Sequence, residues 1–203
     1  MKKTIAYIDG FNLYMGLMDE RYTIFGDNSE YPLRKYLWLK LDDFLSSYLP
    51  SDFELSQIKY FTAPVKGDES KYARQELYLN ALSTIDNLTI YLGKHIQGGR
   101  KFSEKQTDVK MALHMYRDAL DGNCQSMILL SGDSDQVPTI QWIKSLNTDI
   151  DIHIVFPPFR VSHDLRELAD YHHKIKWKRL RKFQFPDPII SGDTVIYKPS
   201  EWS

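Results

Sequence analysis

Short apolar runs alternate with helical segments along most of this chain, and this alternation restricts the possible fold more than any other feature. The runs that we predict as strands are Thr4–Ile8, Gln57–Thr62, Leu88–Leu92, Met127–Leu130 and Asp151–Phe156. The predicted helices are Tyr36–Tyr48, Ser70–Ser83, Thr107–Leu120, Val137–Leu146 and Ser162–Ala169. The alternation favours an α/β fold with a mainly parallel sheet that helices cover on both faces.

The composition is that of an ordinary globular protein and excludes several classes. The 203 residues are 42% hydrophobic and 26% charged, which suits one domain with a sizeable core. A formal net charge of -1 means that any binding of nucleic acid must come from local basic patches. The single cysteine, Cys124, predicts a reducing, cytoplasmic location. No run reaches the ~20 apolar residues of a membrane span, so we expect no membrane partner.

The sequence pattern changes near residue 176. Six of the nine residues in Lys174–Lys182 are Lys or Arg, and prolines follow. We therefore predict a domain over 1–176 and a basic C-terminal tail over 177–203 that packs on or near it. Within the domain, Gly26–Lys35 is predicted as a polar loop and Gln97–Gln106 as a flexible, basic loop.

Acidic residues follow two of the predicted strands directly. Asp9 ends the first strand, and Asp133 and Asp135 follow the fourth, while Asp108 opens a helix. In open α/β sheets, sites form outside the carboxyl ends of the strands, so we expect Asp9 and Asp133 to face each other there. Clustered carboxylates repel one another unless a cation lies between them, and oxygen ligands favour Mg²⁺ or Mn²⁺ over zinc.

Each of these residues also has a structural interpretation. Asp9 with Gly10 can form a strand-ending turn, and Asn12 can cap the next helix. Asp135 can likewise cap a helix, and Asp108 suits the first turn of one. Their convergence on one sheet edge favours a functional site over capping alone.

Several basic residues are candidates for binding phosphate. They are Arg100 and Lys101 in the glycine-rich loop, Arg160 after the fifth strand, and the Lys174–Lys182 cluster. Trp177 offers a face on which an unpaired base can stack. The alternative is that the cluster is a solvated charged segment and that Trp177 packs on the core.

Three ordered blocks of this sequence resemble the signature blocks of NYN domains, in the LabA-like branch of the PIN-like ribonucleases. They are Tyr7–Leu13 (YIDGFNL), Lys105–Ala112 (KQTDVKMA) and Leu129–Asp135 (LLSGDSD). Supporting segments are Lys59–Ala63, Tyr91–Lys94 and Val155–Arg160. The resemblance covers roughly Lys3 to Ile175, and ordered blocks are more specific than a single motif.

The resemblance implies a three-layer Rossmann-like (PIN-like) sheet of order 3-2-1-4-5, with an acidic site that binds Mg²⁺ or Mn²⁺ and cleaves RNA. It assigns metal binding and catalysis to Asp9, Asp108, Asp133 and Asp135. It makes Asn12 and Ser131 polar supports, and it places Lys105 near a phosphate.

The sequence departs from the family pattern at His114, where many members carry an acid. Asp118 lies one helical turn further and can pair with His114 on the same face. It lies ~15 Å along the helix axis from Asp108, too far to share that metal. This departure bears on whether a second metal binds and on how active the protein is.

We therefore predict a metal-dependent endoribonuclease that acts on RNA, preferably single-stranded. One alternative is a catalytically weak RNA-binding or regulatory module. Another is a phosphatase or DNA nuclease that uses the same carboxylates. The sequence lacks the glycine fingerprints of nicotinamide-cofactor enzymes and of P-loop NTPases.

Overall fold

The structure is a computed structural model. It describes residues 1–24, 27, 29–98, 101–146 and 149–202, with side chains throughout these ranges except at 94–98 and 101–105.

A parallel sheet of six strands forms the centre of the fold. Its strands are β1 (Lys2–Asp9), β2 (Phe53–Thr62), β3 (Leu88–Leu92), β6 (Ser126–Leu130), β7 (Asp151–Phe156) and β8 (Tyr171–Lys174). Their spatial order is β3-β2-β1-β6-β7-β8, with every neighbouring pair parallel. The predicted order 3-2-1-4-5 is thus confirmed, and a sixth strand extends the sheet at one edge. This strand lies outside the prediction because Tyr171–Lys174 is short and polar and has no apolar run.

Two antiparallel hairpins lie outside the main sheet. They are β4 (Lys94–Gly98) with β5 (Lys101–Lys105), and β9 (Ile189–Ser191) with β10 (Thr194–Ile196). The first corrects the prediction of an irregular loop over Gln97–Gln106. The backbone there forms ladder pairs from Lys94 opposite Lys105 to Gly98 opposite Lys101. Ladder hydrogen bonds between adjacent segments can thus outweigh a polar, glycine-containing composition.

Helices cover both faces of the sheet. They are α1 (Gly10–Leu17), α2 (Leu41–Ser46), α3 (Glu69–Leu82), α4 (Thr107–Leu120), α5 (Val137–Ser145), α6 (His163–Leu168) and α7 (Trp177–Leu180). Four of the five predicted helices match α3 to α6 closely. The prediction over Tyr36–Tyr48 was too long, because only Leu41–Ser46 is α-helical and a 3-10 turn over Arg34–Tyr36 precedes it.

The helix α1 (Gly10–Leu17) was not predicted from the sequence. This helix follows β1 without a loop, and Gly10 permits the direct transition. A Cβ at Gly10 would lie 2.5 Å from the Tyr60 hydroxyl oxygen and 2.9 Å from the Phe61 carbonyl oxygen. A side chain at this position would therefore push α1 away from β2.

Alternate residues of β1 enter two separate cores. Ala6 and Ile8 lie with the buried residues of α1, α2 and α3 on one face of the sheet. Ile5 and Tyr7 lie on the other face with buried residues of α4, α5 and α6. This period-2 division makes the fold a three-layer α/β structure, as predicted.

The residues after 176 contribute to the first of these cores. Leu180, Phe185, Ile189 and Trp202 are buried there, and the Trp38 indole nitrogen donates to the Pro186 carbonyl over 3.1 Å. Loss of this segment would expose apolar surface of the main domain.

Within the residues that the structure describes, no helix combines the length and apolar composition needed to cross a membrane.

Candidate active site at the carboxyl edge of the sheet

The hydroxyl of Ser131 links the two acids that end neighbouring strands. Its Oγ donates to Asp9 Oδ2 over 3.0 Å and accepts from the Asp133 backbone N–H over 3.1 Å. Asp9 and Ser131 are buried, whereas Asp133 is half-buried. β1 and β6 are adjacent, and the sheet order diverges on either side of them. The two acids therefore lie at the switch point where α/β folds bind ligands.

Asn12 ties the loops after these two strands together. Its backbone N–H donates to Asp9 Oδ1 over 2.9 Å, and its Oδ1 accepts from the Gly132 N–H over 3.0 Å. The N-cap of α1 is Asp9 and not Asn12, for which the sequence had offered a helix-capping role. Gly132 is required sterically, because a Cβ there would lie 2.0 Å from the Arg160 carbonyl oxygen.

Asp135 and Asp108 lie further out on the same edge. Asp135 sits in a 3-10 turn over Ser134–Gln136, and its N–H donates to Asp133 Oδ1 over 3.0 Å. Asp108 is in the first turn of α4, and its carbonyl oxygen accepts from Gln136 Nε2 over 3.4 Å. Both carboxylates are exposed.

The donor chemistry of this edge fits a hard divalent cation. Oxygen ligands from Asp9 and Asp133 suit Mg²⁺ or Mn²⁺, with Asp108 and Asp135 within the same region. Among the described residues, however, no group of three His, Cys, Asp or Glu converges as a ready-made metal site. Metal binding by these four acids stays a prediction.

A cleft of about 380 Å³ opens beside Asp133 and carries two arginines. Asn12, Gly132 and Asp133 line one side, and Arg21, Phe159 and Arg160 line another. Arg160 is half-buried, and its Nε is buried without a hydrogen-bond partner among the described residues. The structure therefore places Arg160 beside the acids, as its position after the fifth predicted strand indicated.

Arg21 is a cleft residue that was not predicted from the sequence. Its guanidinium forms hydrogen bonds of 2.8 and 2.6 Å with Asp19 and lies 4.7 Å from the centre of the Phe159 ring. The hydrogen bonds from Arg21 lower the pKa of Asp19, although burial opposes the shift. No sequence signal marks Arg21, since it follows α1 in an irregular stretch and reaches the cleft only through the tertiary fold.

Three predicted basic residues cannot be placed at this edge. Arg100 lies outside the described residues, and Lys101 and Lys105 lie on β5, where only the backbone is described. The Lys174–Lys182 cluster is better defined. Arg179 donates to the Ser47 carbonyl over 2.9 Å and lies 4.2 Å from the Tyr48 ring centre, while half-buried Trp177 packs against the core.

The pairing expected between Asp118 and His114 is corrected by the structure. Asp118 Oδ2 accepts from Tyr7 over 2.6 Å and from Lys59 over 2.5 Å, and its Oδ1 accepts from Asn123 over 3.1 Å. His114 instead lies 4.4 Å from the ring centre of Tyr91. Burial raises the pKa of Asp118, but the hydrogen bonds outweigh it and hold the pKa below its usual value. The apolar alternation around Tyr7 and Lys59 gave no signal of this buried network.

The sheet order defines a three-layer α/β protein in which acids and arginines lie at the carboxyl edge of the sheet. The chain belongs to the NYN domain family, whose model matches residues 3–176 and which has a PIN-like, nuclease-type fold.

Two known proteins are similar to this chain. One is 6-hydroxy-3-succinoylpyridine 3-monooxygenase HspA of Pseudomonas putida (strain DSM 28022 / S16), which is 28% identical over 98% of this chain and 75% of its own length. The other is a solved protein of unknown function from Vibrio parahaemolyticus RIMD 2210633. It aligns with a TM-score of 0.61 at 19% identity and covers 91% of this chain and 96% of the neighbour, a likeness of fold alone.

Proposed function

We propose that this protein is a metal-dependent endoribonuclease that hydrolyses single-stranded RNA. The observation that carries the proposal is the Ser131 link between Asp9 and Asp133, beside a cleft that holds Arg160. Membership of the NYN family supports a nuclease-type activity. The catalytic role of the acids, the identity of the metal and the RNA substrate all belong to this proposal.

The chain's own residues position the reacting groups. The Asn12 N–H and the Ser131 hydroxyl hold the two oxygens of Asp9, so the carboxylate is oriented before substrate arrives. Asp9 and Asp133 would hold Mg²⁺ or Mn²⁺, with Asp108 and Asp135 completing the acidic edge. When bound, such a cation activates water and stabilises negative charge on a phosphodiester.

Arg160 and Arg21 bind the phosphate backbone in this proposal. Both arginines line the cleft beside Asp133, where their positive charge can attract a phosphate. Phe159 is 52% exposed at the same cleft and presents a ring on which an unpaired base can stack. Stacking of this kind requires splayed bases, which favours single-stranded RNA over a duplex.

The test is cleavage of a labelled single-stranded RNA by the full chain with Mg²⁺ or Mn²⁺. We expect Asp9→Asn and Asp133→Asn to abolish cleavage, while Asp86→Asn, a change of an exposed acid in a distant turn, leaves it intact. Zinc should not replace the other two ions. Cleavage that survives chelation, or that is equal in all three variants, would overturn the proposal.

The same assay separates the related activities. Cleavage of DNA or of a phosphate monoester with the same dependence on Asp9 would indicate a DNA nuclease or a phosphatase. RNA binding that requires Arg160 without any turnover would indicate a regulatory module.

Oxygenation of a small ring compound is a second candidate, because the monooxygenase relative aligns with 98% of this chain. The test is incubation with 6-hydroxy-3-succinoylpyridine, dioxygen and a two-electron reductant. When the dioxygen is isotopically labelled, incorporation of one labelled oxygen atom into the organic product would support this candidate. Absence of labelled product under conditions where RNA is cleaved would exclude that compound as the substrate.

A further inference from the structure

A second cavity, of about 500 Å³, lies between α1, α3 and the C-terminal turn over Ser200–Trp202. Apolar and aromatic side chains form its deeper wall. They include Leu13, Leu17, Tyr60, Ala63, Tyr78 and Trp202. A cavity of this size, lined mainly by apolar groups, suits a small organic molecule.

The C-terminal segment completes this cavity. Trp202 lies 6.0 Å from the ring centre of Tyr78 and 6.3 Å from that of Trp38, and it is buried in the core. The NYN family model ends at residue 176, so Trp202 adds to this cavity a side chain from outside the part of the chain that the family model matches.

Cationic side chains also line the cavity. They are Lys66, Lys71 and Arg74, and the described lining residues include no carboxylate. Lys71 lies 3.4 Å from Asp68, and Arg74 lies 2.8 Å from Glu201, in pairs that are at least partly exposed. Exposed ion pairs contribute little stability, so an anionic ligand can compete for these cations.

Apolar groups on α1 remain uncovered beside these cations. Phe11 is 55% exposed and Met15 is 37% exposed, and both line the cavity. An aromatic ring entering the cavity would cover them, while a carboxylate on that ring would meet Lys71 and Arg74. Arginine and lysine both suit a carboxylate, and arginine can bind it with two parallel hydrogen bonds.

We propose that this cavity is a binding site for a small planar molecule that carries a carboxylate. The site is distinct from the cleft at Asp133, since the two share no lining residue among those described. The proposal requires neither RNA cleavage nor ring oxygenation.

The probe is 2-naphthoate, titrated calorimetrically into the full chain without metal and compared with neutral 2-naphthalenemethanol. We expect saturable binding of the carboxylate that is about ten-fold tighter than that of the alcohol, equivalent to one good ionic contact. Because Trp202 lines the cavity, 2-naphthoate should also change tryptophan fluorescence, and Trp202→Phe should reduce that change.

Two sets of variants locate the site. Met15→Trp adds bulk on α1 and should abolish binding, while RNA cleavage, where present, is unchanged. Lys71→Gln with Arg74→Gln should weaken 2-naphthoate binding about ten-fold and leave the alcohol unaffected. Lys144→Gln on α5 removes a comparable pair, the one that Lys144 forms with Asp170, and should change neither.

No saturable binding of 2-naphthoate up to millimolar concentration would overturn the proposal. Undiminished binding to folded Met15→Trp would also overturn it, because the ligand would then lie elsewhere. Equal affinity for the acid and the alcohol would overturn the assignment of a carboxylate ligand. Loss of RNA cleavage in Asp9→Asn without a change in 2-naphthoate affinity would show that the two proposals stand or fall separately.

Discussion

Lys59 of β2 and Asp118 of α4 form an ion pair of 2.5 Å, and both side chains are less than 10% exposed. The Tyr7 hydroxyl donates to the same carboxylate oxygen, so two strands and one helix meet at the buried carboxylate of Asp118. This ion pair anchors α4 to the sheet. The first turn of α4 carries Asp108.

Breaking this pair from one side should be strongly destabilising. Lys59→Met leaves Asp118 buried without its cation, and we expect a loss of about 3–5 kcal/mol in the free energy of unfolding. Adding Asp118→Asn should recover part of that loss, because the buried charge is removed. Urea denaturation measures both, with Lys2→Met as the control because its pair with Asp151 is exposed at the surface. A cost no larger than that of the control would contradict a structural role for the buried pair.

Stability should fall on acidification between about pH 6.5 and pH 4 because of His153. Burial lowers the pKa of this histidine to about 4, and neither ring nitrogen has a hydrogen-bond partner among the described residues. The unfolded chain, with an ordinary histidine pKa, binds a proton in this window that the folded protein does not. The free energy of unfolding is therefore highest above pH 6.5 and decreases by about 3 kcal/mol as the pH falls to 4.

The matching measurement is thermal unfolding across this pH range. His153→Phe should flatten the profile, since a phenyl ring suits the contacts with Phe53 and Tyr171. The exposed His172 gives the control substitution, His172→Phe. An unchanged slope in His153→Phe would assign the pH dependence to other groups.

Ser131→Ala should weaken metal binding without unfolding the protein. It removes the donor to Asp9 Oδ2 and the acceptor for the Asp133 N–H. Loss of such supporting contacts typically costs about 10–100-fold in metal affinity and about 1–3 kcal/mol in stability. Calorimetric titration with Mn²⁺ measures the first quantity.

Ser126→Ala is a matched control, because Ser126 begins the strand β6 that Ser131 directly follows. Its hydroxyl is buried without a hydrogen-bond partner among the described residues, so its removal should be neutral or stabilising. If Ser131→Ala binds Mn²⁺ as tightly as Ser126→Ala does, the acids at this edge are not the metal site.

Neutralising Arg160 should reduce the salt dependence of RNA binding. One lost phosphate contact lowers the slope of log affinity against log salt by about one unit and weakens all sequences alike. Arg160→Gln and Arg21→Gln should each show this effect, whereas Arg117→Gln, an exposed change near the end of α4, should not. Affinity that does not respond to salt in the wild type would remove phosphate recognition from the proposal.

The exposed cations of the C-terminal cluster need a separate test. Truncation after Ile175 would remove buried Leu180 and Trp202 and so confound any effect on binding. Replacing Lys176, Lys178 and Lys182 by Gln leaves the buried residues in place. A further reduction in the slope of log affinity against log salt would show that RNA contacts this segment. An unchanged slope would identify it as a solvated face.

The sequence by itself determined the α/β class and the edge at which the acids lie, and its resemblance to a known family implied the strand order. The class and the edge follow from local information, because a buried run such as Thr4–Ile8 and an acid directly after it need no distant partner to be recognised. The sequence blocks around Asp9, Asp108 and Asp133 likewise indicated the family, which the match over residues 3–176 confirms.

Only the tertiary structure decided which side chains meet across long sequence distances. The Ser131 link joins residues 122 positions apart, and the contact between Tyr7 and Asp118 spans 111 positions. Neither leaves a periodic signal, since each depends on the register of neighbouring strands and on where a helix packs. For the same reason, the sequence did not indicate that Arg21 lies at the cleft or that Trp202 lines the second cavity. Their positions follow from how irregular segments pack against a sheet that is already formed.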